Sequence, residues 1–228
     1  MKMFKANSVK LNVSSDRNGV QIMKLQLALD RLTEHECFRL VEEVEEYIDI
    51  IEIGTGVIKE YGMAIVKEMR ACYPDKLILS DMKTCDAGRH EAYQAFKAGS
   101  DIMTVMALAS DLTIKDTLQA GEEMGTQVMV DLLEVRSKDR ITELEQLGVS
   151  LVSLHVGKDK QSEGGFTTDL FSLVKESSFK IAVAGGINLE SLSEIVQEEP
   201  DIIIVGSAIT AAAHPKIVAK EMKRLISR

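Results

Sequence analysis

Eight short runs of apolar and β-branched residues recur along the chain, each beginning 22 to 29 residues after the start of the previous one. Amphipathic segments separate the runs. Such alternation of strand and helix predicts βαβ units and therefore a parallel sheet. The runs cover residues 25–30, 48–54, 77–83, 102–107, 127–133, 151–157, 180–187 and 202–209.

The number of units and the length of the chain favour a closed barrel. The 228 residues include three prolines and no long linker, and barrels of roughly 200 to 250 residues commonly form one domain. We predict a single-domain (β/α)8 TIM barrel over residues 23–228, with a doubly wound open sheet as the alternative. Residues 1–22 are polar and have no signal-peptide core. We expect a flexible arm or a misassigned start there, or else an extra strand at the bottom of the barrel.

Several residues predict where helices begin and end. Thr33 and Glu36 have the spacing of a capping box, which starts a helix. Gly99, Gly125 and Gly148 each follow an amphipathic segment and predict its end. Pro215 is expected at the first turn of the last helix, where its missing N–H costs nothing.

Composition excludes several classes of protein. Lys and Arg number 27 against 36 Asp and Glu, so the formal charge of −9 argues against a nucleic-acid partner. No run approaches the roughly 20 apolar residues that span a bilayer. Cys37, Cys72 and Cys85 form no CxxC pair, which suits a reducing compartment, and we expect a cytoplasmic protein.

Polar and charged residues occur where the predicted strands end, and barrel active sites lie at that end. Strand alternation turns Asp30 and Glu52 inward, and it places Asp81 with Lys83 on one face. His155 shares a face with Ser153 on the sixth strand. Grouped carboxylates need a compensating cation, and Lys83 supplies only one charge. We therefore expect a divalent metal with oxygen ligands, Mg²⁺ or alternatively Mn²⁺. The alternative without a metal is that these acidic residues cap helices or lie in solvent at the rim of the barrel.

Glycine-rich turns follow the seventh and eighth predicted strands. Gly185 and Gly186 end one, and Gly206 with Ser207 ends the other. Backbone N–H groups of such turns are a common phosphate site in barrels, because no Cβ blocks their approach. The pair of turns predicts a phosphorylated substrate.

Residues 79–88 carry Asp81, Lys83 and Asp86 in the order Asp-x-Lys-x-x-Asp. This segment resembles the motif of the orotidine 5′-monophosphate decarboxylase suprafamily. Further segments are similar to the 3-hexulose-6-phosphate synthase family within it, and the resemblance extends from Met23 to the C-terminus. These segments are residues 25–30, 51–55, 86–91, 154–161 and 182–187.

The resemblance implies a Mg²⁺-dependent aldol condensation of formaldehyde with D-ribulose 5-phosphate, through a metal-stabilised enediolate. Glu52 and Asp81 would hold the metal, and Asp30 would bind substrate hydroxyls. Lys83 would stabilise the enediolate and contact the substrate, while His155 would carry the proton. Asp86 would be a catalytic and substrate-binding residue that reaches the partner's site, which implies a homodimer. The phosphate would be bound by Gly185, Gly186, Gly206 and Ser207.

Two other functions remain open. A 3-keto-L-gulonate 6-phosphate decarboxylase would use the same metal and lysine, and members of that group carry an arginine three residues after the histidine. Here Gly157 resembles the synthases, whereas Lys158 is a cation unusual for them, which leaves room for mixed specificity. The remote alternative is a non-catalytic barrel that binds a sugar phosphate. A sugar-phosphate epimerase is disfavoured, because the sequence lacks its histidine-rich metal site.

Overall fold

The protein is described by a computed structural model covering residues 23–162 and 165–227. Its eight strands are all parallel and close into a barrel in chain order. The closure is made by β1 and β8, with Leu25 opposite Ile203, so the single-domain (β/α)8 barrel is confirmed and the open sheet is wrong. The strands are β1 Lys24–Leu29, β2 Ile50–Ile53, β3 Leu77–Thr84, β4 Ile102–Met106, β5 Gln127–Asp131, β6 Leu151–His155, β7 Lys180–Ala184 and β8 Ile202–Val205. The expectations for residues 1–22 lie outside the described residues.

Helices cover the outside of the barrel. They are α1 Glu34–Val44, α2 Thr55–Tyr61, α3 Met63–Cys72, α4 Gly88–Ala98, α5 Asp111–Met124, α6 Lys138–Gln146, α7 Leu189–Ile195, α8 Ser207–Thr210 and α9 Pro215–Ile226. One connection differs from the predicted alternation. Between β6 and β7 the described residues form the 3₁₀ turns Lys158–Ser162 and Thr168–Leu173 and no α-helix.

The boundary signals act as the sequence predicts. Thr33 and Glu36 form both hydrogen bonds of a capping box, and Pro215 occupies the first turn of α9. The helix-ending glycines all have positive φ, the conformation that relieves a helix C-terminus. Their φ values are 111° for Gly99, 68° for Gly125 and 84° for Gly148.

Several strands end earlier than the apolar runs suggest. β7 stops at Ala184, because Gly185 and Gly186 have φ of 118° and 71° and turn the chain away. β8 stops at Val205, and the apolar residues Ala208 and Ile209 that follow lie within α8. An apolar run thus marks a buried segment but not the point where the backbone leaves the sheet.

Side-chain alternation along the strands separates two cores. Ile50 and Leu79 belong to a small cluster inside the barrel. Ile51 and Ile53 belong to the large cluster between the strands and the helices. Glu52 faces the interior with the first set, as the alternation predicts, so a charged group lies above the inner apolar core.

Arg70 and Asp101 organise the N-terminal end of the barrel. Arg70 donates from Nε to the carbonyl of Gly99 at 2.9 Å and from Nη1 to Lys76 O at 2.8 Å. Its Nη2 pairs with Asp101, which also accepts the N–H of Ile78 at 2.8 Å. These bonds join the connections that precede β3 and β4.

All three thiols are free, with Cys37 buried and Cys72 and Cys85 exposed. Within residues 23–162 and 165–227, no helix combines the length and the apolarity needed to cross a bilayer.

Candidate active site

A cavity of about 460 Å³ opens at the C-terminal ends of the strands. The ionisable residues singled out from the sequence line it, with one exception, Asp86. The residues on its wall include Asp30, Glu52, Asp81, Lys83, His155, Lys158, Gly185, Gly186, Gly206 and Ser207.

Lys83 lies at the centre of the charged groups. Its Nζ is 2.7 Å from Asp81 Oδ2 and 3.0 Å from Asp131 Oδ2. Burial alone would lower the pKa of Lys83, but the two carboxylates outweigh burial and raise it. The ammonium form therefore persists across the physiological pH range.

Asp131, at the end of β5, connects Lys83 to His155. Its carboxylate is buried and lies 2.9 Å from His155 Nδ1, in addition to its bond with Lys83. Burial raises the pKa of Asp131, but the hydrogen bond and charge of His155, with the charge of Lys83, lower it to about 2. Asp131 thus remains an anion that fixes two cationic or proton-carrying groups.

His155 is held through one ring nitrogen. Burial lowers its pKa, but the hydrogen bond to Asp131 and the negative charge of that carboxylate raise it above the usual value overall. Because Nδ1 faces Asp131, the ring has a fixed orientation, and Nε2 is the nitrogen available to exchange a proton.

Glu52, on β2, contributes another carboxyl group to the cavity wall. It is buried and accepts a hydrogen bond from Gln26 Nε2 at 2.5 Å. Burial, and next the negative charge of Asp81, raise the pKa of Glu52 to about 7. Among the buried side-chain polar atoms of the described residues, Gln26 Oε1 has no hydrogen-bond partner.

These features fit a divalent cation. No group of three or more His, Cys, Asp or Glu is arranged to hold a metal in the described part of the chain. Mg²⁺, however, commonly uses one or two carboxylates and takes its other ligands from substrate and water. Glu52 and Asp81 offer two carboxylates, and a cation beside them would offset both the burial and the negative charge of Asp81, which raise the pKa of Glu52.

Asp30 and Asp86 lie away from this centre. Asp30 is exposed at the mouth of the cavity, accepts the N–H of Gly56 at 2.9 Å and pairs with Arg31 at 3.5 Å. Asp86 is also exposed, but it accepts the N–H of Ala87 at 2.8 Å and lines a separate shallow depression with Leu112. Within one chain, the structure therefore does not bring Asp86 to the cavity.

The two glycine turns face the cavity from β7 and β8. A Cβ on Gly185 would lie 2.4 Å from the carbonyl oxygen of Val156, so a side chain is excluded there. Gly206 and Ser207 begin the neighbouring turn. The open backbone on both sides could receive a phosphate.

The profile of the orotidine 5′-phosphate decarboxylase / HUMPS family matches residues 23–222. The chain belongs to this family.

Within the family, the similarity to 3-hexulose-6-phosphate synthases is confirmed. The chain is 40% identical to the synthase of Bacillus subtilis (strain 168), over 90% of this chain and 99% of that protein. The crystal structure of the Salmonella typhimurium synthase superimposes with a TM-score of 0.87 at 38% identity, covering 90% of this chain and 98% of that one. A crystal structure of KGPDC from Streptococcus mutans has a TM-score of 0.84 at 27% identity, covering 90% and 98% of the two chains.

Sequence reasoning missed Asp131 as a site residue, and it assigned nothing to Thr55 or Thr104. Thr55 and Thr104 donate from Oγ1 to the two oxygens of Asp81, at 2.7 and 2.8 Å. Alternation could have found Asp131, because it lies two residues after Met129, which faces the inside of the barrel. Nothing in the local sequence distinguishes the two threonines from other strand residues.

Proposed function

We propose that the protein catalyses the aldol condensation of formaldehyde with D-ribulose 5-phosphate, which yields D-arabino-hex-3-ulose 6-phosphate. The observation that carries this proposal is Lys83, held between Asp81 and Asp131 beside the buried carboxylate of Glu52. Such a site can stabilise negative charge on two adjacent oxygens of a ketose. The synthase similarity supports this reaction over others of the same chemistry.

His155 is the proposed proton carrier. Its Nε2 takes the proton of C1, and the electrons of that C–H bond form the enediolate. The enediolate carbon then attacks formaldehyde, forming the new C–C bond and an alkoxide, and His155 returns the proton to this oxygen. Because the bond to Asp131 raises the pKa of His155, the ring is a stronger base than free imidazole.

Lys83 stabilises the charge that develops on the enediolate oxygens. Its own partners keep it protonated, and Asp131 positions it together with His155. Mg²⁺, or alternatively Mn²⁺, held by Glu52 and Asp81 would supply further positive charge to the substrate oxygens. Asp30 at the cavity mouth would bind hydroxyl groups of the sugar.

The phosphate of the substrate is proposed to bind between the turns after β7 and β8. Gly185 and Gly186 form one side, and Gly206 with Ser207 forms the other. Backbone N–H groups can approach the phosphate oxygens closely where no Cβ intervenes.

We further propose a homodimer in which Asp86 acts in the partner's cavity. Asp86 is exposed and lies outside the cavity of its own chain, next to Leu112, whose exposed fraction is 68%. A self-complementary contact at this surface would cover the leucine and give the carboxylate a second site to reach. A solution mass of one chain would contradict this arrangement.

The free thiols also suit the cytoplasm as the place of action.

A second candidate activity is the decarboxylation of 3-keto-L-gulonate 6-phosphate. Lys158 favours it, because this cation lies on the cavity wall where carboxylate-bearing substrates could contact it. The similarity to KGPDC of Streptococcus mutans is consistent with it. Lys158 also donates to Gln161 Oε1 at 3.3 Å, which is compatible with a rim residue of no catalytic role.

Two assays on the purified full chain distinguish these functions. In the first, formaldehyde consumption with Mg²⁺ is expected only when ribulose 5-phosphate is present, and chelation with EDTA should abolish it. In the second, release of CO₂ from 3-keto-L-gulonate 6-phosphate is expected to be slower. A Lys83→Met variant serves as the inactive control. CO₂ release without formaldehyde consumption would reverse the ranking, and binding of the phosphate without either reaction would favour a non-catalytic barrel.

A further inference from the structure

The pairing of β3 with β4 is interrupted beside the charged centre formed by Asp81, Lys83 and Asp131. Ser80 pairs with Met103, and the next pair is Thr84 with Val105. Three residues of β3, from Asp81 to Lys83, therefore lie opposite a single residue of β4, Thr104. Such an irregularity removes ladder hydrogen bonds and redirects the side chains of the longer strand.

The backbone of Lys83 shows the effect of this interruption. Its φ is 46°, in the left-handed region that residues other than glycine rarely adopt. A backbone in this region persists only where surrounding contacts hold it. The ammonium group of Lys83 lies between two carboxylates, and its position depends on the backbone from which the side chain extends. A contact that holds this backbone therefore also holds the ammonium group.

Thr104 supplies the contact through its side chain. Its Oγ1 accepts the N–H of Lys83 at 2.9 Å and donates to Asp81 Oδ1 at 2.8 Å. The side chain is buried, with an exposed fraction of 3%. One hydroxyl thus uses both its acceptor and its donor on the two β3 residues that point into the cavity.

We propose that Thr104 is a positioning residue for the reaction, whose hydroxyl replaces the missing strand pairing and holds the Lys83 backbone and the Asp81 carboxylate in register. Thr104 acts through these two neighbours. This inference rests on the proposed function for its effect on rate, but the hydrogen bonds themselves can be tested without any substrate.

The hydroxyl is expected to affect turnover more than substrate binding. It holds groups that stabilise charge in the transition state, whereas the proposed phosphate turns lie on β7 and β8, across the barrel from β4. Small displacements of such groups reduce rate strongly. Loss of the hydroxyl should therefore lower kcat and leave KM for the ketose phosphate nearly unchanged.

Two variants separate the hydroxyl from the shape of the side chain. Thr104→Val keeps the branched shape and removes both hydrogen bonds, and we expect kcat to fall roughly 30- to 100-fold with KM changed less than about threefold. Thr104→Ser keeps the hydroxyl, and we expect it to retain kcat within about threefold of the wild type. Thr126→Val is the matched control, since Thr126 Oγ1 donates to Gly121 O at 3.2 Å away from the cavity, and its kcat should equal that of the wild type.

Amide hydrogen exchange followed by NMR gives a readout independent of activity. The Lys83 amide should exchange slowly in the wild type and at least about tenfold faster in Thr104→Val, with no such change in Thr126→Val. Fast exchange in the wild type would overturn the proposal even if Thr104→Val fails to fold. So would full activity of Thr104→Val, or equal impairment of the serine and valine variants. A wild-type protein inactive in both assays would overturn the proposed function, while the exchange result would still decide whether Thr104 holds Lys83.

Discussion

At the N-terminal end of the barrel, Asp101 is matched within the protein, because it pairs with Arg70 and accepts the N–H of Ile78. At the C-terminal end, Glu52 is more buried and receives a hydrogen bond from Gln26, whose second polar atom has no partner. Burial raises the pKa of both carboxyl groups, but a nearby cation opposes the shift at Asp101, whereas the charge of Asp81 reinforces it at Glu52. The carboxylate of Asp101 is compensated by a cation within the protein, whereas Glu52 lies beside a like charge in the cavity, where the proposed metal ion would bind.

Positive φ angles also distinguish the two ends of the barrel, because most of the residues other than glycine that have them lie at the C-terminal end. Residues other than glycine with positive φ include Arg31, Lys83 and Ala87, all of which follow or end strands at the cavity side. Of the residues with described geometry, Glu199 is the example before a strand. Strain concentrated at one end of a barrel is typical of a functional site held by the rest of the fold.

The largest expected effect comes from Asp81→Asn. The substitution removes one charge partner of Lys83 and one proposed metal ligand without changing the size of the side chain. We expect kcat/KM for the condensation to fall about a thousandfold or more, which corresponds to roughly 4 kcal/mol of transition-state stabilisation. Steady-state kinetics measures the loss, and the thermal midpoint should stay within about 5 °C of the wild type.

The matched control for that experiment is Asp101→Asn at the other end. It should lower stability, because Arg70 loses its charge partner, and leave kcat/KM of the folded protein unchanged. A fully active Asp81→Asn variant would contradict the proposed site. An Asp101→Asn variant that loses activity at full stability would contradict the division between the two ends.

The next largest effect concerns stability, through Arg70→Met. Arg70 and Asp101 are largely buried, with side-chain exposures of 24% and 17%. Removing the guanidinium leaves several acceptors and a carboxylate unpaired, so we expect the free energy of unfolding to fall by about 3 kcal/mol. Urea unfolding measures this change, and kcat at saturating substrate should not move.

Arg39→Met provides the control for Arg70→Met. Arg39 pairs with Glu43 at 3.2 Å on the exposed face of α1, and exposed pairs of this kind contribute about 0.5 kcal/mol or less. Equal losses from the two substitutions would show that the Arg70 contacts add nothing beyond a surface ion pair.

The sequence predicted the barrel because strand spacing and helix boundaries are local signals. The capping box at Thr33 and the glycine at Gly99 act through neighbours a few residues away. The alternation of side chains also placed Glu52 and His155 on the cavity wall, since each lies on a regular strand. These features follow from periodicity alone.

The rest depended on contacts between distant segments. The hydrogen bond from the Lys83 N–H to Thr104 Oγ1 forms where β3 bulges against β4, and neither strand shows this in its own residues. The central place of Asp131 likewise arises from the approach of β5 to Lys83 and His155. Asp86 matches a motif, but its position outside its own cavity follows from the path of the turn after β3.

The smallest of the expected effects concerns Asp131 and acid stability. Its pKa of about 2 in the folded protein lies below the value of about 3.9 for an unfolded aspartate. The sign follows from linkage: the group contributes about 2 kcal/mol of stability above about pH 4, and that contribution is lost as the pH falls toward 2. The raised pKa of His155 acts in the opposite sense. Its contribution to stability is present at pH values below the pKa of free imidazole and is lost as the pH rises through the pKa of His155 in the folded protein.

Asp131→Asn tests whether the carboxylate of Asp131 makes this contribution to stability. The variant should be less stable than the wild type at pH 6, and the gap should narrow by about 2 kcal/mol between pH 5 and pH 2 as the wild type loses its advantage. Denaturant unfolding at several pH values measures the gap. Asp75→Asn, at an exposed position, should follow the wild type throughout. A gap that stays constant with pH would mean that Asp131 is not held as an anion by Lys83 and His155, and the charged centre would then need a different arrangement of protons.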